Sequence, residues 1–358
     1  MKKHITKILL IFLIVLGISG CGNSSSSTAE IMLVTDTGGV NDKSFNQGTW
    51  EGVQKISSEL GVKAEYIESK SESDLVSNLK KAAEKANIVV CAGFLFEGPV
   101  SEVAPQYPND KFIIIDGQPK DENDNPIEIS NVYSYFFNEL EAGYLVGYIA
   151  GKTTQTNKVG FIGGLEIPAV QNFGWGYVQG VQKANPNASV EYIYTNSFTD
   201  VTKGKQTALS MNASGVDIIF TAAGAVNTGA VEAAKEIVSS GKKLEIIGVD
   251  RDMYDDGIYT DANGIEKSVV LTSAMKKTGN AAYEAIKAIK NGDAMQSVTT
   301  FNVASGNVGI PDNNPNIKDQ TVINEANEAL QKALANNELK LNANDIAQIL
   351  TITINGKY

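Results

Sequence analysis

The chain has 358 residues, with 30 Lys and Arg against 41 Asp and Glu, a formal net charge of −11. So acidic a chain lacks the clustered basic charge that phosphate-backbone binding requires, which excludes nucleic-acid polymers as partners. One histidine, His4, and two cysteines, Cys21 and Cys91, leave no means for imidazole-based triads beyond the N-terminus, a zinc ribbon or a disulfide framework.

Residues 1–20 read as a signal peptide. Lys2, Lys3 and Lys7 make the positive start, and residues 8–16 (ILLIFLIVL) an apolar run too short to span a bilayer comfortably. The run ends Ile18-Ser19-Gly20-Cys21, the pattern of a lipobox, in which cleavage precedes a cysteine that carries lipid. The Ser-rich stretch 22–29 then reads as a flexible tether. Removing residues 1–20, which hold three Lys and no acid, leaves 338 residues and shifts the formal charge from −11 to −14. It also removes the only histidine. Cys91, inside the run Ile88-Val89-Val90-Cys91-Ala92, reads as a small buried hydrophobe. The expected product is an extracytoplasmic domain held on the membrane by its lipid.

From residue 30 the pattern alternates between short β-branched runs and helical spacing. Strands are expected at 31–34, 63–67, 88–92 and 112–116, and helices at 44–60, 75–86 and 100–106. A second series begins after residue 139. It has helices at 140–152, 170–184, 203–211 and 228–239, and strands at 159–162, 190–194, 218–220, 244–249 and 268–271. A helix at 281–289 follows, and the tail carries a helical pattern at 323–334 and a short strand at 350–354. Continuous apolar strands between helices indicate parallel sheets covered on both faces. The fold class is α/β, with two doubly wound lobes joined by a hinge. Lobe one is assigned to 30–136 plus about 272–305, and lobe two to 137–271 plus about 306–358.

Ligands of such sheets sit beyond the carboxyl ends of the strands. The first strand leads into Thr35-Asp36-Thr37-Gly38-Gly39-Val40-Asn41-Asp42-Lys43-Ser44-Phe45, where Asp42 or Ser44 suits a helix cap. Its spacing fails the phosphate-loop and dinucleotide patterns. Asp36 ends that strand and suits an acceptor for ligand N–H groups, or equally a turn. Gly93 and Gly224 follow strands where a missing side chain lets the backbone approach a ligand closely, and a plain turn serves as well. Residues 250–267, rich in Asp, do not have the spacing of a calcium loop and read as a solvated loop. Neither a metal nor a cofactor is called for.

The segment T-D-T-G-G-V-N-D-K-S-F-N-Q-G-T-W-E-G resembles the signature of the basic membrane protein (Bmp) family of lipoproteins, whose members are of the purine nucleoside receptor A type. Further matches run in order along the chain: residues 112–116, 142–147, 161–164, 198–200, 222–224, 247–250 and 271–276. The resemblance implies a type I periplasmic-binding-protein fold, no enzymatic activity, and a monomer that hands its ligand to an ABC permease and its ATPase. It places Phe45 and Phe198 as rings on either side of a base, and Asp250 and Lys276 on the ribose side. Taken alone, either ring reads as core packing, Asp250 as a cap and Lys276 as an interlobe salt bridge. Thr37 stands where relatives can carry Asn, and offers the base less. The implied ligand is a nucleoside of the guanosine, inosine or adenosine class. A sugar receptor of the same fold and a nucleoside-processing enzyme are the alternatives, the latter disfavoured by the absent imidazole.

Overall fold

The computed structural model describes residues 29–340 and the backbone of 352–354. The expected leader, Cys21 and most of the tether lie outside the described residues. The first stretch runs β1 (Ile31–Thr35), α1 (Phe45–Leu60), β2 (Ala64–Glu68), α2 (Leu75–Ala83), β3 (Ile88–Ala92), α3 (Glu97–Val103), β4 (Lys111–Ile115) and β5 (Val132–Phe137). The second runs α4 (Glu139–Thr153), β6 (Lys158–Gly163), α5 (Pro168–Ala184), β7 (Ser189–Tyr194), α6 (Val201–Ala213), β8 (Ile218–Ala222), α7 (Val226–Ser239) and β9 (Glu245–Asp250). A hairpin of β10 (Ile258–Thr260) and β11 (Glu266–Ser268) leads to β12 (Val270–Lys276). The chain closes with α8 (Thr278–Asn291), β13 (Val298–Phe301), β14 (Val308–Gly309), α9 (Thr321–Ala335) and β15 (Ile352–Ile354).

The strands form two principal sheets. Their orders are β13-β5-β4-β3-β1-β2 and β14-β12-β9-β8-β6-β7-β15, parallel except where β14 runs against β12. Both sheets therefore place their second strand outside the first and wind the other way from the third, which makes a switch point between β1 and β3 and another between β6 and β8. The central strands explain this burial. In β1, β3 and β8 every side chain is buried, as strands covered by helices on both faces require. One apolar cluster joins Leu33, Val90 and Ile113 of the first sheet to Phe161 and Phe220 of the second, with Tyr177 of α5, by way of helix α4.

The chain passes between the sheets three times, at residues 137–139, 276–278 and 301–308. The middle passage falls after Lys276, not near 272, because Thr272–Met275 pair in register with Ile247–Asp250 of β9. Only then does the chain cross, and α8 packs on α1 through Gly279 against Gly52. The solvated loop expected at 250–267 instead contains the β10–β11 hairpin, whose turn is closed by Asp261 accepting from the N–H groups of Asn263 and Ile265.

Candidate functional site

The carboxyl ends of the two sheets face a cleft holding a cavity of about 580 Å³. Seven of the eight positions marked in the sequence as ligand-facing line it: Asp36, Phe45, Gly93, Phe198, Gly224, Asp250 and Lys276. Each lies at or just beyond a strand end or at a helix start. The first sheet's side contributes Asp36 after β1, Phe45 at the start of α1 and Gly93 after β3. The second contributes Phe198 after β7, Gly224 after β8, Asp250 at the end of β9 and Lys276 at the end of β12.

The eighth position, Thr37, does not line the cavity. It is exposed at the tip of the turn in which the Gly39 N–H reaches the Asp36 carbonyl. In the first turn of α1, Asn46 lines the cavity in its stead. Its Nδ2 donates to Asp36 (2.8 Å) and Asp42 (3.0 Å), and its buried Oδ1 has no partner among the described residues. Asp42 is the cap of α1, accepting from the N–H groups of Ser44, Asn46 and Gln47 at 2.9–3.0 Å. Ser44 makes no cap bond; its hydroxyl donates across the cleft to Asp250 Oδ2 at 2.5 Å. Trp175 on α5 packs against the core, while Phe173 on the same helix lines the cavity.

Lys276 is the centre of the charge arrangement. It is 5 % exposed, and its ammonium pairs with Asp116 at the end of β4 and with Glu139 Oε1 at 3.5 Å at the start of α4. The rings of Phe45, Phe173 and Phe137 surround it, with centroids 5.1, 5.5 and 5.7 Å away. Burial opposes its charge, but Asp116, Glu139 and Asp250 outweigh burial and hold its pKa above the ordinary value. The interlobe salt bridge weighed for Lys276 is thus present, and it forms part of the cavity wall. Asp116, Glu139 and Asn46 were not marked in the sequence. Asp116 obeys the same strand-end rule that marked Asp36 and Asp250.

Burial pushes Asp250 up to about 6, against the pull of Lys276 and the Ser44 hydroxyl. Burial also raises Asp36, opposed by the Gly38 N–H and Asn46, and raises Glu139, opposed by Lys276. Lys43, Asp116 and Asp250 hold left-handed backbone conformations, with φ of 55°, 57° and 66°. Such conformations cost energy and persist where the surroundings fix them. Asp116 and Asp250, at the ends of β4 and β9, line the cleft in this conformation. Arg251 ties the lobes beside them: its Nε donates to the Lys43 carbonyl at 2.6 Å, and its guanidinium pairs with Asp256 at 2.5 Å.

The arrangement supplies aromatic faces, several hydrogen-bond acceptors and one buried cation. Lining carboxylates (Asp36, Asp42, Glu97, Asp116, Glu139, Asp250) outnumber lining lysines (Lys120, Lys276), and Lys120 is paired with Glu97 at 2.6 Å. That excess disfavours a phosphate and suits a neutral ligand rich in O–H and N–H donors. Among the described residues no cluster of carboxylate, cysteine or histidine side chains suits a metal ion, and no helix is long and apolar enough to cross a membrane.

The model of the PnrA-like ABC transporter substrate-binding proteins matches residues 29–345. An ABC transporter nucleoside-binding protein, BmpA of Lactococcus lactis subsp. cremoris, is 34% identical over 312 residues, covering 84% of this chain and 87% of its own. A CD4+ T-cell-stimulating antigen of Listeria monocytogenes is 37% identical over 313 residues, covering 82% and 86%. Among solved structures, an ABC transporter solute-binding protein from Aeropyrum pernix K1 superposes with a TM-score of 0.74 at 25% identity, covering 89% of this chain and 96% of that one.

Proposed function

The chain belongs to the PnrA-like family of ABC transporter substrate-binding proteins, and on that premise we propose that it captures nucleosides in the interlobe cleft, purine nucleosides above others, and presents them to a permease and its ATPase. In this reading the protein is a monomer held on the outer face of the membrane by lipid on Cys21. The observation that carries it is the set of groups lining one cavity: Phe45 from one lobe and Phe198 from the other, with Asp250 and Lys276 beside them. A flat base between two rings stacks on both faces, at about 1–3 kcal/mol for each face, and a two-ring purine covers more of them. Asp250 accepts from the ribose hydroxyls. Asp36 and the unpaired Oδ1 of Asn46 accept from base N–H groups, a part that falls to Asn46 in place of Thr37. Because the rings come from different lobes, the base bridges the cleft and favours its closure.

Calorimetry with inosine, guanosine, adenosine, cytidine and ribose tests the reading. Purine nucleosides should bind, and ribose alone should not. Ribose binding without any nucleoside binding would overturn it in favour of a sugar receptor. Phe45→Ala and Phe198→Ala should each weaken nucleoside binding by about tenfold or more, about 1.4 kcal/mol. Unchanged affinity in both would mean that the base lies elsewhere.

Asp250 gives a pH dependence with a definite sign. Ribose hydroxyls donate to its charged form, so binding lowers a pKa that burial holds at about 6. Affinity should then fall as pH drops through 6, by about tenfold per unit below it. Asp250→Asn should bind more weakly and lose most of that slope; any remainder belongs to Asp36 and Glu139, which burial also raises. A wild-type affinity that is flat from about pH 7.5 to about pH 5 would contradict the assignment.

A further inference from the structure

A second chamber, of about 330 Å³, adjoins the cleft and shares Asp42 and Gly224 with it. Its walls come from both lobes: Asp42 and Lys43 on one side, and Gly224, Asn227, Lys235 and Met253 on the other. Asn227 lies in the first turn of α7 and is 1 % exposed. Both its Oδ1 and its Nδ2 are buried without a hydrogen-bond partner among the described residues. Buried polar atoms are rarely left so, and an orphaned pair on one side chain calls for a partner from outside the protein.

The distribution of such atoms is informative. The buried side-chain atoms without a hydrogen-bond partner among the described residues are Asn46 Oδ1, Asp116 Oδ1, Tyr177 Oη, Glu245 Oε2 (ion-paired with Lys243 at 3.1 Å) and the two of Asn227. Four of these six belong to residues lining the cleft or the chamber. Asn227 thus has the same mark as the groups that face the principal ligand.

The chamber's charges define the class of group it takes. Lys43 and Lys235 stand against Glu232, Asp255, Asp256 and Asp42, so acidic groups exceed basic ones and a phosphate is disfavoured. Asp256 is engaged by Arg251, and Asp42 caps α1. No metal-binding cluster is present among the described residues. Beside these charges the chamber offers one primary amide, a donor group beside an acceptor, which complements another amide or a hydroxyl.

Position then identifies the part of the ligand concerned. Met253 stands three residues beyond Asp250, and Lys43 precedes Ser44, whose hydroxyl is bonded to Asp250. The chamber therefore adjoins Asp250, while its shared walls Asp42 and Gly224 also adjoin Asn46 and Phe198. If the base lies between the rings and the 2′- and 3′-hydroxyls on Asp250, the remaining substituent of the sugar is at the 5′ position. Resting on the nucleoside reading above, we propose that this chamber is a second subsite in which Asn227 pairs with an uncharged polar group on the 5′ side of the bound sugar, and that it admits groups larger than a hydroxyl.

The test uses whichever of adenosine, inosine and guanosine binds most tightly, in four forms: the parent, its 5′-deoxy analogue, its 5′-carboxamide and its 5′-monophosphate. Calorimetry on the wild-type protein should give comparable or tighter binding of the carboxamide relative to the parent, and little binding of the monophosphate. Asn227→Ala should weaken the carboxamide by about tenfold and leave the 5′-deoxy analogue nearly unchanged. A carboxamide that fails where the parent binds overturns the subsite, and so does a monophosphate that binds best. Equal losses for all forms in Asn227→Ala would reduce Asn227 to a packing role. If that variant does not fold, the wild-type comparison of the four forms still decides. Failure of every parent nucleoside to bind overturns the nucleoside reading itself, a separate outcome.

Discussion

Lys276→Met should destabilise the protein by about 3–5 kcal/mol at neutral pH and abolish ligand capture, the largest loss expected of any cavity residue. The reason is the company the ammonium keeps. Asp116, Glu139 and Asp250 all depend on it as their nearby positive charge, and it is nearly removed from solvent. Methionine fills much of the same volume between the rings of Phe45, Phe137 and Phe173. The variant therefore isolates loss of charge from loss of packing. Without the ammonium nothing opposes burial at Glu139 and Asp250, so folding near neutral pH must protonate them, and that uptake costs stability. The deficit should shrink in acid. Glu139 and Asp250 already have raised pKa values through burial, and in acid the unfolded chain carries the same protons, so the cost of taking them up on folding falls away. Urea unfolding at about pH 7 and about pH 5 measures both effects. A variant as stable as wild type at the higher pH would show that Lys276 is not the counterion of this cluster.

The sheets and most of the strand-end groups were legible because both rest on local signals. Apolar runs such as Ile88-Val89-Val90-Cys91-Ala92 announce central parallel strands, and the residue after such a strand is where a doubly wound sheet meets its ligand. That rule, with the family motifs, led to Asp36, Gly93, Gly224 and Asp250. What failed was non-local. Strand β5 (VYSYFF) is half polar and aromatic, and its partner β13 is separated from it by two of the three crossings and most of the second sheet. Neither was expected. Nothing local in Leu271-Thr272-Ser273-Ala274-Met275-Lys276 says that the strand continues to Lys276, because its length is set by pairing with β9. The partners of Lys276 were hidden for the same reason: Asp116 is 160 residues away and Glu139 is 137. Thr37 was misplaced because a turn of Asp-Thr-Gly-Gly does not disclose which side chain it turns outward. Asn227 gave no signal, since an amide early in a helix reads as an ordinary capping group until its atoms are found buried and unpaired.

Gly147→Val should lower stability by roughly 3 kcal/mol or more, beyond the 1–3 kcal/mol usual for overpacking, because what it meets is backbone. Helices α4 and α5 touch through glycines on both sides. A Cβ on Gly143 would overlap the Phe173 carbonyl and one on Gly147 the Tyr177 carbonyl, while Cβ atoms on Gly176 and Gly180 would overlap those of Leu140 and Tyr144. No side-chain rotation relieves an overlap with a carbonyl, so the helices must separate. Their spacing also shapes the cleft. Helix α4 starts with Glu139, which pairs with Lys276, and α5 carries Val170 and Phe173 in the cavity wall. Thermal unfolding should show a loss of several degrees, and ligand affinity should fall with it although no binding group has changed. Gly98→Ala is the control: a Cβ there meets nothing within 4 Å, and its effect should stay within about 0.5 kcal/mol. If Gly147→Val is as stable as that control, the two helices do not owe their close approach to these glycines. The wall formed by Glu139 and Phe173 must then be held by the side-chain packing around it.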